Sequence, residues 1–119
     1  MDLYSQIFLE HAKNPRNVGK LAKPTCRASM VNTSCGDVTS VELRMENGEL
    51  KTIKHKTNGC LVSKFSASVL SEKLVGKTPE EVLKITPQDL TKILGVQLTM
   101  SRTKCALLPL LAIQRALKN

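Results

Sequence analysis

Val41-Glu42-Leu43-Arg44-Met45-Glu46-Asn47-Gly48-Glu49-Leu50, running on through Thr57 to Asn58-Gly59-Cys60-Leu61, decides the fold. Val41, Leu43 and Met45 alternate with Glu42, Arg44 and Glu46, the period-two pattern of a half-buried strand. Asn47-Gly48 is a strong hairpin signal, because a two-residue turn needs positive φ at both central positions. The returning strand is expected over Leu50 to Thr57, with Ile53 among polar residues. An earlier strand around Ala28 to Asn32 pairs with these to give a small antiparallel sheet. After Gly59 the period changes. Leu61, Phe65 and Val69, with Leu70 and Leu74, mark a helix that stops at Gly76.

Working outward, Asp2 to Ala12 reads as a first helix capped by Asp2, with Leu3, Ile7 and Phe8 on one face and Tyr4 beside them. It ends before Asn14-Pro15, since the residue before proline is pushed out of the helical region. Asn14 to Gly19 is then a loop. Thr78-Pro79-Glu80-Glu81 and Thr86-Pro87-Gln88-Asp89 are both helix starts: a cap, proline at the first position, acids in the first turn. The second of these helices ends near Gly95. A last helix is expected from near Cys105 to about Lys118, because Pro109 is comfortable only in a first turn. Its apolar face is Leu107, Leu108, Leu110, Leu111, Ile113 and Leu117. The class is α+β, a small antiparallel sheet packed against helices on one face.

At 119 residues, 1–119 is expected to form one domain with a real core. No apolar run approaches the roughly 18 residues of a membrane span. Met1 to Ala12 carries acids and no basic leader, so no secretory signal and no membrane association are expected, and a cytoplasmic protein follows. There, four cysteines are thiols, metal ligands or catalytic groups rather than disulfides. The net charge of +8 leaves an acidic partner open. The lysines are scattered, however, and one Tyr, two Phe and no Trp offer little for base stacking, so no nucleic-acid partner is expected. A basic nucleic-acid module with incidental thiols, which would bind with steep salt dependence, stands as the alternative from a different class.

Cys35 lies in Ser34-Cys35-Gly36-Asp37. In an extended segment, residues two apart share a side, so a soft thiol and a hard carboxylate converge on one ion, with Gly36 permitting close approach. Cys60 immediately precedes one helix and Cys105 is expected to open another. Helix N-termini favour anions and lower thiol pKa values, an effect that Lys64 and Lys104 would reinforce. Packing remains the competing reading for each cysteine alone, and there is no C-x-x-C. The case for a shared site rests on three cysteines that border elements, plus Asp37. Cys26 leads into a strand without such a setting and is expected to pack. His11, late in the first helix, and His55, between two lysines, are expected at the surface. No Ser-His-Asp set, phosphate loop or dinucleotide fingerprint is present.

Asn14-Pro15-Arg16-Asn17-Val18-Gly19, Ser34-Cys35-Gly36-Asp37, Thr57-Asn58-Gly59-Cys60 and Lys104-Cys105-Ala106 resemble, in order and spacing, the iron–sulfur cluster scaffold proteins of the IscU, SufU and N-terminal NifU type. Gly76-Lys77-Thr78 with Glu80-Glu81 also fits, and the resemblance spans nearly the whole chain. It implies a NifU/IscU-like (SufE/IscU-type) α+β fold with three cysteines clustered at one end. It implies ligands Cys35, Asp37, Cys60 and Cys105, with Cys105 as persulfide acceptor. It implies a carrier rather than an enzyme: a cysteine desulfurase supplies sulfur, iron joins, a 2Fe–2S cluster forms, and apo acceptor proteins receive it. Lys104 stands where many members have histidine. This resembles the SufU-like branch, which implies as runner-up a zinc-dependent sulfurtransferase, although the insertion usual in that branch is lacking. Leu98-Thr99-Met100-Ser101-Arg102 lacks the proline-rich chaperone-recognition segment, so a dedicated heat-shock chaperone partner is in doubt.

Overall fold

The structure, a computed structural model, describes residues 6–33 and 36–118. Helix α1 (Gln6–Lys13) leads through a long loop to β1 (Cys26–Val31), β2 (Val38–Glu46) and β3 (Glu49–Asn58). Helices α2 (Leu61–Lys73), α3 (Pro79–Leu83), α4 (Pro87–Leu94) and α5 (Met100–Lys118) follow. Of the expected first helix, the part holding Asp2, Leu3 and Tyr4 lies outside the described residues, as do Ser34 and Cys35.

The three strands form one antiparallel sheet in the order β1-β2-β3. The β2–β3 hairpin turns on Asn47 and Gly48, at φ 54° and 79°, so the Asn-Gly pair adopts the doubly positive turn expected of it. Thr39, Val41 and Leu43 of β2 and Leu50, Ile53 and His55 of β3 are buried. Helix α5 lies against β1 and β2, while α2 lies against β3 and α5. Phe65 and Leu70 of α2 and Leu74 at its C-cap join Val41, Leu43, Ile53, Leu110 and Ile113 in the core.

Helix α2 is buried on nearly every side, yet it carries Ser63, Ser66, Ser68 and Ser71 within the core. Each hydroxyl has a partner, as buried polar groups require. Ser66 donates to the Ala106 carbonyl at 2.6 Å, and Ser71 to the Ser68 carbonyl at 2.7 Å. Ser68 accepts the Arg16 backbone N–H at 2.8 Å.

Both threonine–proline starts form as expected. Thr78 with Glu81 and Thr86 with Asp89 close reciprocal capping boxes, with Pro79 and Pro87 in the first turn. Gly95 ends α4 in the left-handed conformation, at φ 71°.

Helix α5 departs from expectation. It starts at Met100 rather than near Cys105, and Pro109 sits in its interior. The Thr99 hydroxyl accepts the Arg102 N–H at 3.3 Å, which supplies the start. Proline at 109 leaves the Cys105 carbonyl without its usual partner four residues on. The Ser63 hydroxyl takes that place, 3.0 Å from the Cys105 oxygen. The interior proline is thus accommodated by a neighbouring helix.

The two histidines are also corrected. His11 is 7% exposed and His55 3% exposed, and neither is a surface residue. His11 Nδ1 lies 2.7 Å from Ser68 Oγ, and its ring meets Phe65 edge-on. His55 Nε2 donates to the Arg16 carbonyl at 2.7 Å, and its backbone N–H to the Asn17 carbonyl at 3.0 Å. Two imidazoles and the α2 serines therefore strap the loop Asn14 to Gly19 onto the core, with Asn17 at φ 63°. Flanking lysines gave His55 an exposed look, but the strand's alternation turns it inward beside Ile53.

Candidate cargo site at the β2–β3–α2–α5 junction

Register builds the site. Val38 pairs with Asn58, so the residue before β2, Asp37, stands beside Gly59 and Cys60 after β3. The loop entering β2 is closed by Asn32 N–H to the Asp37 carbonyl, 2.8 Å, and Gly36 N–H to the Asn32 carbonyl, 2.7 Å. Gly36 takes φ 79°, which glycine permits without strain. Gly59 is needed for another reason: a Cβ there would overlap the Asp37 carboxylate. Only a bare Cα lets that side chain lie where it does.

Cys60 occupies the N-cap of α2, with no cap bond from its own side chain. Asp37 supplies what the helix start lacks. Its Oδ2 accepts the Cys60 N–H at 3.3 Å, and α2 has no acid of its own in the first turn. A carboxylate near unpaired N–H groups at the positive end of the helix dipole is stabilised there. Asp37 is 6% exposed, so this arrangement holds a buried polar group with partners.

The ligand atoms of Asp37, Cys60 and Cys105 all lie within 4.8 Å of one another. They come from a pre-strand loop, a helix start and the body of a helix. Cys105 is on the second turn of α5, which begins five residues earlier, so it is not at a helix N-terminus. Cys60 stands at a helix N-terminus as expected, and Cys105 does not. Two thiolates on one tetrahedral ion stand about 3.8 Å apart, so the three donors need close by only about 1 Å to share an ion. Thiolate and carboxylate together suit zinc or iron. Cys35, the remaining expected ligand, lies outside the described residues. Lys104 is exposed beside Cys105.

Ser63 is a site residue that the sequence reading missed. Its Oγ lies 2.9 Å from Asp37 Oδ2, 3.5 Å from Cys60 Sγ and 3.0 Å from the Cys105 carbonyl. The available signal was its position three residues after Cys60 on the same helix face. Four serines on one helix hid it. Cys26 behaves as expected: it packs against the core from β1, and burial pushes its thiol pKa up.

A small antiparallel sheet with helices that brings two thiols and a carboxylate within 4.8 Å of one another defines an α+β class with a candidate metal site. The sequence profile of the NifU-like N terminal domain matches residues 3–119, and the chain belongs to that family. It is 33% identical to the iron-sulfur cluster assembly scaffold protein IscU 1 of Archaeoglobus fulgidus over 115 residues, covering 97% of this chain and 74% of that protein. It is 30% identical to the iron-sulfur cluster assembly scaffold protein IscU of Thermotoga maritima, covering 98% and 94%. The crystal structure of a candidate scaffold protein for the SUF system from Fervidobacterium islandicum AW-1 superposes with TM-score 0.82 at 24% identity, covering 97% of this chain and 96% of that one. Among the described residues no helix is long and apolar enough to cross a membrane.

Proposed function

We propose that this protein is an iron–sulfur cluster assembly scaffold, a cytoplasmic carrier whose cargo is iron or a nascent 2Fe–2S cluster held by Cys35, Asp37, Cys60 and Cys105. The observation that carries this reading is the convergence of Asp37, Cys60 and Cys105 within 4.8 Å in a chain of the NifU-like N-terminal family. Sulfur arrives from a cysteine desulfurase. The Cys105 thiolate attacks the outer sulfur of the enzyme's persulfide. A new S–S bond forms as the old one breaks, and the desulfurase cysteine leaves as thiolate. Acceptor apoproteins then draw off the cluster. Thiolates hold cluster iron firmly, and the carboxylate is the harder, weaker ligand, the one an incoming acceptor thiolate displaces most readily.

The same donor set fits one tetrahedral zinc, which supports a second reading as a zinc-dependent sulfurtransferase partner of a desulfurase. Anaerobic purification followed by metal and acid-labile sulfide analysis tests both. Iron with stoichiometric sulfide after reconstitution supports the scaffold. About one zinc per chain, with no cluster absorption after reconstitution, supports the transferase. Neither metal in either preparation overturns the site.

A further inference from the structure

The geometry points to Ser63 as the positioning residue that holds Asp37 at the cargo site and ties it to both cysteines. This inference rests on the reading of Asp37, Cys60 and Cys105 as ligands. Ser63 is 0% exposed, so its hydroxyl serves no solvent role. Its single proton has two oxygen acceptors at hydrogen-bond distance, Asp37 Oδ2 at 2.9 Å and the Cys105 carbonyl at 3.0 Å. Cys60 Sγ stands at 3.5 Å, able to exchange a hydrogen bond with the same oxygen. Three elements that each deliver one donor thus meet at one hydroxyl.

The second acceptor exists because of Pro109. A residue with an N–H at 109 would bind the Cys105 carbonyl inside α5, and proline cannot. The Ser63 proton is therefore shared between orienting the carboxylate and completing the helix. Outer partners of this kind fix the direction of a metal-binding carboxylate, and their loss weakens metal binding by about ten-fold or more.

Cobalt(II) titration of the apo protein, followed by its ligand-field and sulfur-to-metal charge-transfer bands, is the test. Ser63→Ala is expected to weaken cobalt binding about ten-fold and to shift the ligand-field bands. Ser63→Thr, which keeps the hydroxyl, is expected to restore both. In an Asp37→Ala background the further change Ser63→Ala is expected to alter affinity by less than about two-fold, because the hydroxyl acts through the carboxylate. Equal weakening in both backgrounds, or none in either, overturns the proposal. Should Ser63→Ala not fold, Pro109→Ala serves instead. It returns an N–H to the Cys105 carbonyl, releases the hydroxyl to Asp37, and is expected to tighten cobalt binding; unchanged or weaker binding overturns the proposal. A wild-type protein that binds no cobalt overturns the ligand reading itself, and a wild-type protein that binds it unaffected by Ser63 overturns only the role of Ser63.

Discussion

At the scale of single residues, the proposed function gives Asp37 and Cys105 different tasks at one site. Asp37 is the proposed hard ligand, buried against Gly59 and the start of α2. A lone ion loses affinity when one of its ligands is removed, but delivery of a cluster depends on which ligand yields first. Asp37→Ala is therefore expected to slow cluster transfer to an apo-ferredoxin, because the displaceable oxygen is gone and thiolates remain. Timed transfer checks this, and unchanged or faster delivery contradicts it. Cys105 is the expected sulfur acceptor. Incubation of single cysteine-to-serine variants with a desulfurase and cysteine, read by mass spectrometry, should show persulfide lost in Cys105→Ser and kept in Cys26→Ser. Cys26 is packed, and burial raises its thiol pKa, which leaves less of the attacking thiolate. Persulfide that survives in Cys105→Ser but not in Cys60→Ser would move the role to Cys60. Asp37 and Cys60 were legible because each borders an element, whereas Cys105 was singled out on a helix start that lies five residues earlier than expected. Ser63 was not: a serine inside a helix carries no local mark of what faces it, and its partners are 26 and 42 residues away.

At the scale of elements, the signals that proved readable are those whose physics is complete within a few residues. Asn47-Gly48 contains its own reason to turn, and Thr86-Pro87-Gln88-Asp89 its own reason to start a helix. The Thr86 hydroxyl accepts the Asp89 N–H at 3.1 Å, and the Asp89 carboxylate accepts the Thr86 N–H at 3.0 Å. The bond from the Thr86 backbone, then that from its side chain, hold the Asp89 carboxyl below its ordinary range. Thr86→Ala removes one half of the box and should cost about 1 kcal/mol, measured by urea unfolding of the apo protein. A change within error would mean that α4 is held by packing of Leu90 and Leu94 alone. The start of α5 was misplaced for the converse reason. The rule that proline belongs in a first turn assumes the orphaned carbonyl has nowhere to go, and Ser63 of another helix provides the place. The burial of His55 was hidden likewise, since its partner is a backbone carbonyl 39 residues away.

Across the whole molecule, the two buried imidazoles give stability a pH dependence. Burial, first, and the Arg16 guanidinium, second, lower the pKa of His11, with Glu72 and Glu10 acting in the opposite direction. Burial also lowers that of His55, partly offset by its bond to the Arg16 carbonyl. Both folded-state values lie below the ordinary 6.5. As pH falls through that value, the unfolded chain takes up protons that the folded chain resists. Their contribution is thus complete above 6.5 and is lost on acidification towards the folded-state values. The melting temperature of the apo protein should fall between about pH 7 and pH 5, above the carboxylate range, and His55→Gln should flatten that slope. A flat wild-type profile would show that neither ring is buried in solution.

Pro109 also divides α5 in time. Its missing amide interrupts the ladder of hydrogen bonds between the turn that carries Cys105 and the turns beyond, where Leu110, Ala112, Ile113 and Ala116 are anchored in the core. Local opening of a helix proceeds from its least-bonded segment. The amides of Met100 to Lys104, on exposed or half-exposed turns, should therefore exchange with deuterium well before those after Pro109. Cys60, seated where β3 meets the largely buried α2, is expected to belong to the slow population. On the proposed ligand set, Cys60 would hold the cargo from the last part of the fold to open and Cys105 from a segment that can open alone, so that release would not have to wait for the core.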